Sequence, residues 1–125
     1  MAKIIIMAGD IQVHAELYDT PTAGAIQKIL PLESVVSTWG DEIYFNIPLR
    51  KDPEPDARRD VAIGEMGYWP EGPAFCIFFG RTPASTSDNP RAYSPVNVFG
   101  KVIEDSAVLR NVMNNTVIRV DNYYG

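Results

Sequence analysis

Glu42, Tyr44 and Asn46 alternate with Ile43, Phe45 and Ile47. In an extended chain, period two sends a carboxylate, a phenol and an amide off one face and three apolar groups off the other. Trp39 lies just across the Gly40-Asp41 turn and can border the polar face. Together these residues offer an acid, two further polar groups and an aromatic wall, which is how a small-ligand pocket is commonly lined. The same alternation also suits the wet outer face of an edge hairpin. Tyr68 and Trp69 are adjacent aromatics on a glycine-rich stretch and suit ligand contact or ordinary packing. Phe79 ends the most apolar run of the chain, and Arg81, Thr82 and Ser85 follow it. Arg81 is a candidate to meet an anionic group at a pocket mouth, or else to pair with a neighbouring carboxylate. The candidate ligand-binding set is therefore Trp39, Glu42, Tyr44, Asn46, Tyr68, Trp69, Phe79, Arg81 and Ser85.

Other chemistries find less support. His14 is the one histidine, on the polar phase of its strand, with neither a nucleophile nor an orienting acid indicated beside it. Cys76 is the one cysteine and is flanked by Phe75 and Ile77, which favours a buried thiol over a nucleophile. One cysteine and one histidine supply neither an intrachain disulfide nor a zinc cage, so no metal, cofactor or catalytic residue is expected. A net charge of −5, with Arg58-Arg59 flanked by Asp56 and Asp60, argues against a nucleic-acid partner.

The elements that must position these residues are short. Residues 4–8 form an apolar run ended by Gly9-Asp10, too brief for a secretory signal. No run approaches the ~20 apolar residues of a membrane span, so a cytoplasmic protein without a membrane partner is expected. Residues 11–18 alternate cleanly as a strand. Thr20-Pro21 then caps a helix carrying Ile26, Ile29 and Leu30, which Pro31 ends. Strands are expected over 32–39, 42–47, 61–69, 74–79, 96–103 and 116–120, with irregularity at Gly64 and Gly67. A second helix is expected after Asp105 or Ser106, with Val108, Leu109, Val112 and Met113 on its buried side. Residues 48–60 and 81–95 read as loops, the second long enough to be functional. The 125 residues have room for one domain, 1–125, of ordinary globular composition at 46% hydrophobic and 22% charged. The expected architecture is mainly β: a closed barrel of about eight strands with two short capping α-helices.

Two stretches resemble cyclophilins. Residues 13–23, Val-His-Ala-Glu-Leu-Tyr-Asp-Thr-Pro-Thr-Ala, are similar to the family's opening strand and helix start; residues 98–104, Val-Phe-Gly-Lys-Val-Ile-Glu, are similar to its late strand. A closer likeness, to small prokaryotic cyclophilin-like proteins of unknown function, runs through residues 39–48, Tyr68-Trp69-Pro70 and residues 78–83. The resemblance implies a cyclophilin-like barrel. It also shows what is missing. Aligning the F-x-R-x-x-P element of cyclophilins on Pro48 puts Phe45 where their arginine polarises the prolyl amide, with only uncharged Asn46 beside it. Val96 stands where they carry a histidine, and residues 85–95 replace the Trp-Leu-Asp-Gly loop. Without that arginine, the main electrostatic stabilisation of a twisted amide is gone.

The resulting expectation is a non-catalytic module binding a small molecule or short peptide. A prolyl cis-trans isomerase, or another enzyme using the same cleft, is the alternative. A third expectation is a homodimer built on exposed aromatics such as Trp69, Tyr123 and Tyr124.

Overall fold

The computed structural model describes residues 2–125. The chain runs β1 (Lys3–Ala8), β2 (Ile11–Leu17), α1 (Pro21–Lys28), β3 (Leu32–Val35), β4 (Ser37–Thr38), β5 (Glu42–Asn46), β6 (Arg58–Asp60), β7 (Glu65–Trp69), β8 (Ala74–Phe78) and β9 (Arg91–Val102). A 3-10 helix (Ser106–Asn111) and β10 (Val117–Tyr123) follow. Among the described residues, no helix is long and apolar enough to cross a membrane.

All pairings are antiparallel, in the order β3-β10-β1-β2-β9-β7-β8-β5-β4, with β6 attached to β9. This corrects the expectation of a closed eight-stranded barrel: the described residues form ten strands, and the sheet does not close. The two additional strands have identifiable origins. The segment expected as one strand over 32–39 breaks at Val36, whose N–H donates to the Thr116 carbonyl and whose own carbonyl accepts from Asn115. Before that residue β3 pairs with β10, and after it β4 pairs with β5. The corner where a barrel would close is thus one residue of chain passing between two ladders. The other addition is β6, inside a stretch whose charge and prolines suggested only loop.

The second helix is also corrected. It is a 3-10 turn capped by the Asp105 carboxylate on the Ala107 amide, and Leu109 and Ser106 are its buried residues. By contrast α1 forms where its caps placed it: the Thr20 hydroxyl accepts from the Ala23 amide, and Pro21 occupies the first turn.

The main core is filled from the inner face of the sheet and from α1. Ile4, Ile6, Val13, Ile43, Phe45, Phe75, Ile77, Met66 and Phe99 meet there, with Ile26 beneath the helix. Phe45 stacks on Phe75 at 4.7 Å, and Phe75 meets Phe99 edge-on at 4.9 Å. A second, smaller apolar cluster lies on the opposite face. It comprises Val61, Ala74, Cys76, Phe78, Ala92, Val96 and Val98, with Tyr18, Tyr44 and Trp69 packed against it. That cluster exists because β9 is long. Its C-terminal half pairs with β2 and β7, while its N-terminal half pairs with β6, shielding the outer face of β7 and β8. The register between β7 and β9 slips between Met66 and Gly67, where glycine was expected to make the strand irregular. A Cβ on Gly67 would fall 2.6 Å from Val96, so the missing side chain is what lets β9 approach.

Candidate functional site

Strand parity builds the site. Across the β5–β8 ladder, Ile43 faces Ile77 and Phe45 faces Phe75 in the core, so Glu42 opposite Phe78 and Tyr44 opposite Cys76 face outward. Trp69, last in β7, lies opposite Ala74. On the far side β9 contributes Ala92, Tyr93 and Val96. Trp39 arrives from the preceding turn, where its N–H donates to the Glu42 carbonyl. That turn is tightly made. Gly40 adopts φ +60, and a Cβ there would meet the Arg81 carbonyl at 2.9 Å. Asp41 fixes it from the other side, accepting from the Arg110 guanidinium at 2.9 Å while its backbone bonds Arg81 and Phe79.

These residues enclose a recess of about 140 Å³ lined by Trp39, Glu42, Tyr44, Trp69, Cys76, Phe78, Ala92, Tyr93 and Val96. Its rings are contiguous. Tyr93 stands edge-on to Trp39 at 6.1 Å and to Trp69 at 6.0 Å. Trp69 is held by its indole N–H, which donates to the Ser94 hydroxyl at 2.6 Å; that hydroxyl in turn donates to the Glu71 carboxylate at 2.7 Å. Tyr93 itself is 68% exposed, which places the rim of the recess at the protein surface.

Glu42 dominates the electrostatics of the recess. It is only 6% exposed, and among the described residues no basic group pairs with it. Burial pushes its carboxyl up to about 7 from an ordinary 4.5, a rise that a hydrogen bond from Cys76 partly opposes. Burial likewise pushes the Cys76 thiol up, and the Glu42 charge adds to the effect. A thiol held that way is a poor nucleophile, because the thiolate is the reactive form. Among the described residues no group of three His, Cys, Asp or Glu side chains is placed to hold a metal.

Of the nine residues singled out in the sequence, the fold brings Trp39, Glu42, Tyr44 and Trp69 together. The other five lie elsewhere. Asn46, at the far end of β5, donates its amide to the Gly72 and Pro73 carbonyls. Tyr68 is fully buried in the main core, its hydroxyl donating to the Leu49 carbonyl and accepting from the Lys51 amide. Phe79 packs into that core as well. Arg81 reaches Asp88 at 3.8 Å, and the Ser85 hydroxyl bonds Thr82 and the Asn89 carbonyl within its own loop. Cys76, Phe78, Ala92, Tyr93 and Val96 were not anticipated as site residues. Cys76 and Phe78 were legible in principle, since they share a strand face with period two. Tyr93 was hidden because residues 91–95 read as loop, whereas β9 begins at Arg91.

Phe45, which the resemblance sets in the place of the cyclophilin arginine, is 2% exposed against Phe75, on the face of the sheet away from the recess. Of the proposed dimer aromatics, Tyr123 lies against the His14 ring at 4.4 Å, while Tyr124 is 90% exposed. His14 donates through Nδ1 to the Glu104 carboxylate at 2.6 Å, and this contact draws the Glu104 carboxyl below its usual range.

A model of the cyclophilin-like family matches residues 2–121, and the chain belongs to that family. The solution structure of a hypothetical protein from Archaeoglobus fulgidus superposes with a TM-score of 0.82 at 31% identity, covering 98% of this chain and 95% of that one. No curated protein matches the sequence.

Proposed function

We propose that this protein is a binding module whose recess between β5, β8 and β9 takes a small molecule or the side chain of a short peptide without covalent chemistry. The observation that carries the proposal is a buried carboxyl with no basic partner among the described residues, set among two tryptophans and two tyrosines in a recess of about 140 Å³. A carboxyl that burial penalises, with open space beside it and no basic partner, is the kind of feature a ligand completes. The volume sets a limit on what enters. It is close to the ~150 Å³ that accommodates one benzene-sized group and well below the range that encloses a drug-sized ligand. The guest is thus one head group or one side chain, with any remainder outside.

The prolyl isomerase alternative is disfavoured by the lining itself. A twisted amide needs a donor aimed at its developing charge. The described residues lining the recess present a carboxyl, two phenols, two indoles and a thiol, and none supplies the cationic donor that such a charge calls for.

Trp39 and Trp69 are the two tryptophans of the chain, and both line the recess, so their emission reports on it directly. The test is fluorescence and melting temperature against a library of metabolites and proline peptides. A ligand at 100 times its Kd adds about 2.7 kcal/mol of stability. A compound that moves both signals supports the module; a library that moves neither overturns it.

A further inference from the structure

Taking the recess as a ligand site, we infer that its guest is an alkylated ammonium group carried by a small organic cation. Three observations converge on that chemistry. The first is the wall. Trp39, Trp69, Tyr44 and Tyr93 line the recess together with Phe78, and Tyr93 bridges the two indoles with centroid separations of 6.1 and 6.0 Å. Faces of tryptophan and tyrosine carry negative quadrupole density, and several of them around one void attract a weakly hydrated cation.

The second is the charge. Glu42 is nine-tenths buried, and among the described residues neither Lys, Arg nor His lies within ion-pair reach of it. The titratable groups that face it are Tyr44 on its own strand, Cys76 on β8 and Tyr93 on β9. None of these brings a positive charge. A carboxylate kept from water in this way gains most from a cation that arrives with the ligand. An anionic guest would instead meet repulsion at close quarters, and a neutral apolar guest would leave the carboxylate charge unbalanced.

The third is size. A recess of about 140 Å³ holds a tetraalkyl nitrogen head but not a larger ring system. Phe78, Val96 and Ala92 make up the apolar part of the lining, which suits methyl groups and offers nothing to a hydrated inorganic ion.

The experiment uses matched probes of one shape and two charges: choline, and its neutral isostere 3,3-dimethyl-1-butanol. Each is titrated into the full chain at pH 8 and constant ionic strength, with tryptophan emission and melting temperature as readouts. Choline is expected to bind on the order of tenfold more tightly than the alcohol. In Glu42→Gln that preference should shrink to roughly threefold or less while the alcohol binds as before, which also shows the variant folded. Tyr93→Ala changes a side chain that is 68% exposed and so leaves the core intact. It should weaken choline by about threefold or more through loss of one ring.

Equal binding of the two probes overturns the cation assignment while leaving the binding module standing. Choline preference that survives Glu42→Gln overturns the role given to the carboxylate. If neither probe moves either readout at tens-of-millimolar concentration, on the order of the weakest affinities of interest, both the cation and the recess as its site fall.

Discussion

Replacing Glu42 with Gln should stabilise the protein at pH 8 and leave it almost unchanged at pH 4.5. The folded state holds the Glu42 carboxyl at about 7, against an ordinary 4.5 for the unfolded chain, chiefly through burial. The folded protein therefore binds this proton more tightly than the unfolded one. Stability from the group is complete below pH 4.5 and is lost as pH rises through about 7. The interval from 4.5 to about 7, at 1.36 kcal/mol per pH unit, corresponds to about 3 kcal/mol. Against a typical total of 5–15 kcal/mol this is a large fraction. With a urea m-value of about 2 kcal/mol/M, it moves the midpoint by roughly 1.5 M. Gln keeps the shape and can still accept from the Cys76 thiol, but it has no proton to lose. The assay is urea unfolding of both proteins at pH 4.5, 6, 7 and 8, taking the difference between them. Groups far from the recess, His14 with Glu104 among them, are common to both chains and cancel in that difference. A wild-type deficit that opens progressively from pH 4.5 to 8 supports the reasoning. A difference that stays constant over the range refutes it, because burial would then not be acting on ionisation.

Three other perturbations test the supports of the site. Gly67→Ala puts a Cβ 2.6 Å from Val96 and should destabilise the fold by about 1–3 kcal/mol while enlarging or opening the recess; thermal unfolding with tryptophan emission reads both effects. Thr20→Ala removes the hydroxyl that accepts from the Ala23 amide and should lower stability by about 1 kcal/mol with no change in tryptophan emission. Tyr18 donates to Glu65 at 2.9 Å, and burial together with that carboxylate pushes its phenol up to about 12 from 10. Its stabilising contribution should thus persist below pH 10 and fade as pH approaches 12. In Tyr18→Phe the ultraviolet titration of the remaining tyrosines should lose its latest-ionising component.

How far the site was legible depended on strand parity and on what breaks it. In residues 42–47 the alternation was correct in phase, because Ile43, Phe45 and Ile47 all enter the main core. Parity alone cannot say how far along its strand a site extends, and Asn46 lies beyond the end of this one, spent on the 72–73 turn. Tyr68 and Trp69, being neighbours in a strand, must face opposite sides, so at most one of them belonged to the recess. The burial of Tyr68 and the edge contact of Trp69 with Tyr93 decide which. Residues 91–95 were hidden by composition. Their proline and serine content reads as loop, and only the distant partner β6 makes them a strand. The same dependence on long-range pairing explains why a closed eight-stranded barrel was expected where a ten-stranded open sheet forms. A break at Val36 follows from hydrogen bonds to residues 115 and 116, eighty positions away in sequence, which no local pattern records.

The recess is a consequence of how this sheet is covered. A sheet whose inner face is filled needs nothing on its outer face except water and polar side chains. Here β8 is apolar on both faces, with Ala74, Cys76 and Phe78 outward and Phe75 and Ile77 inward, and all five are buried. The outward set is covered by the N-terminal half of β9, brought close by Gly67, and by the Trp69 ring. That cover is made of narrow elements, a strand and a few rings, and leaves about 140 Å³ unfilled between β5, β8 and β9. An apolar side chain of similar size at position 42 would have avoided the cost of burying a charge, at no loss to the main core. Instead the chain places a carboxyl there and bears about 3 kcal/mol of instability at high pH for doing so. Local choices that oppose folding without structural compensation are where function is expected. Substituting Glu42 with Leu should therefore raise stability at pH 8 beyond what Gln achieves and abolish ligand-dependent changes in Trp39 and Trp69 emission. A Leu variant less stable than wild type at pH 8 would show that the carboxyl is structurally required after all.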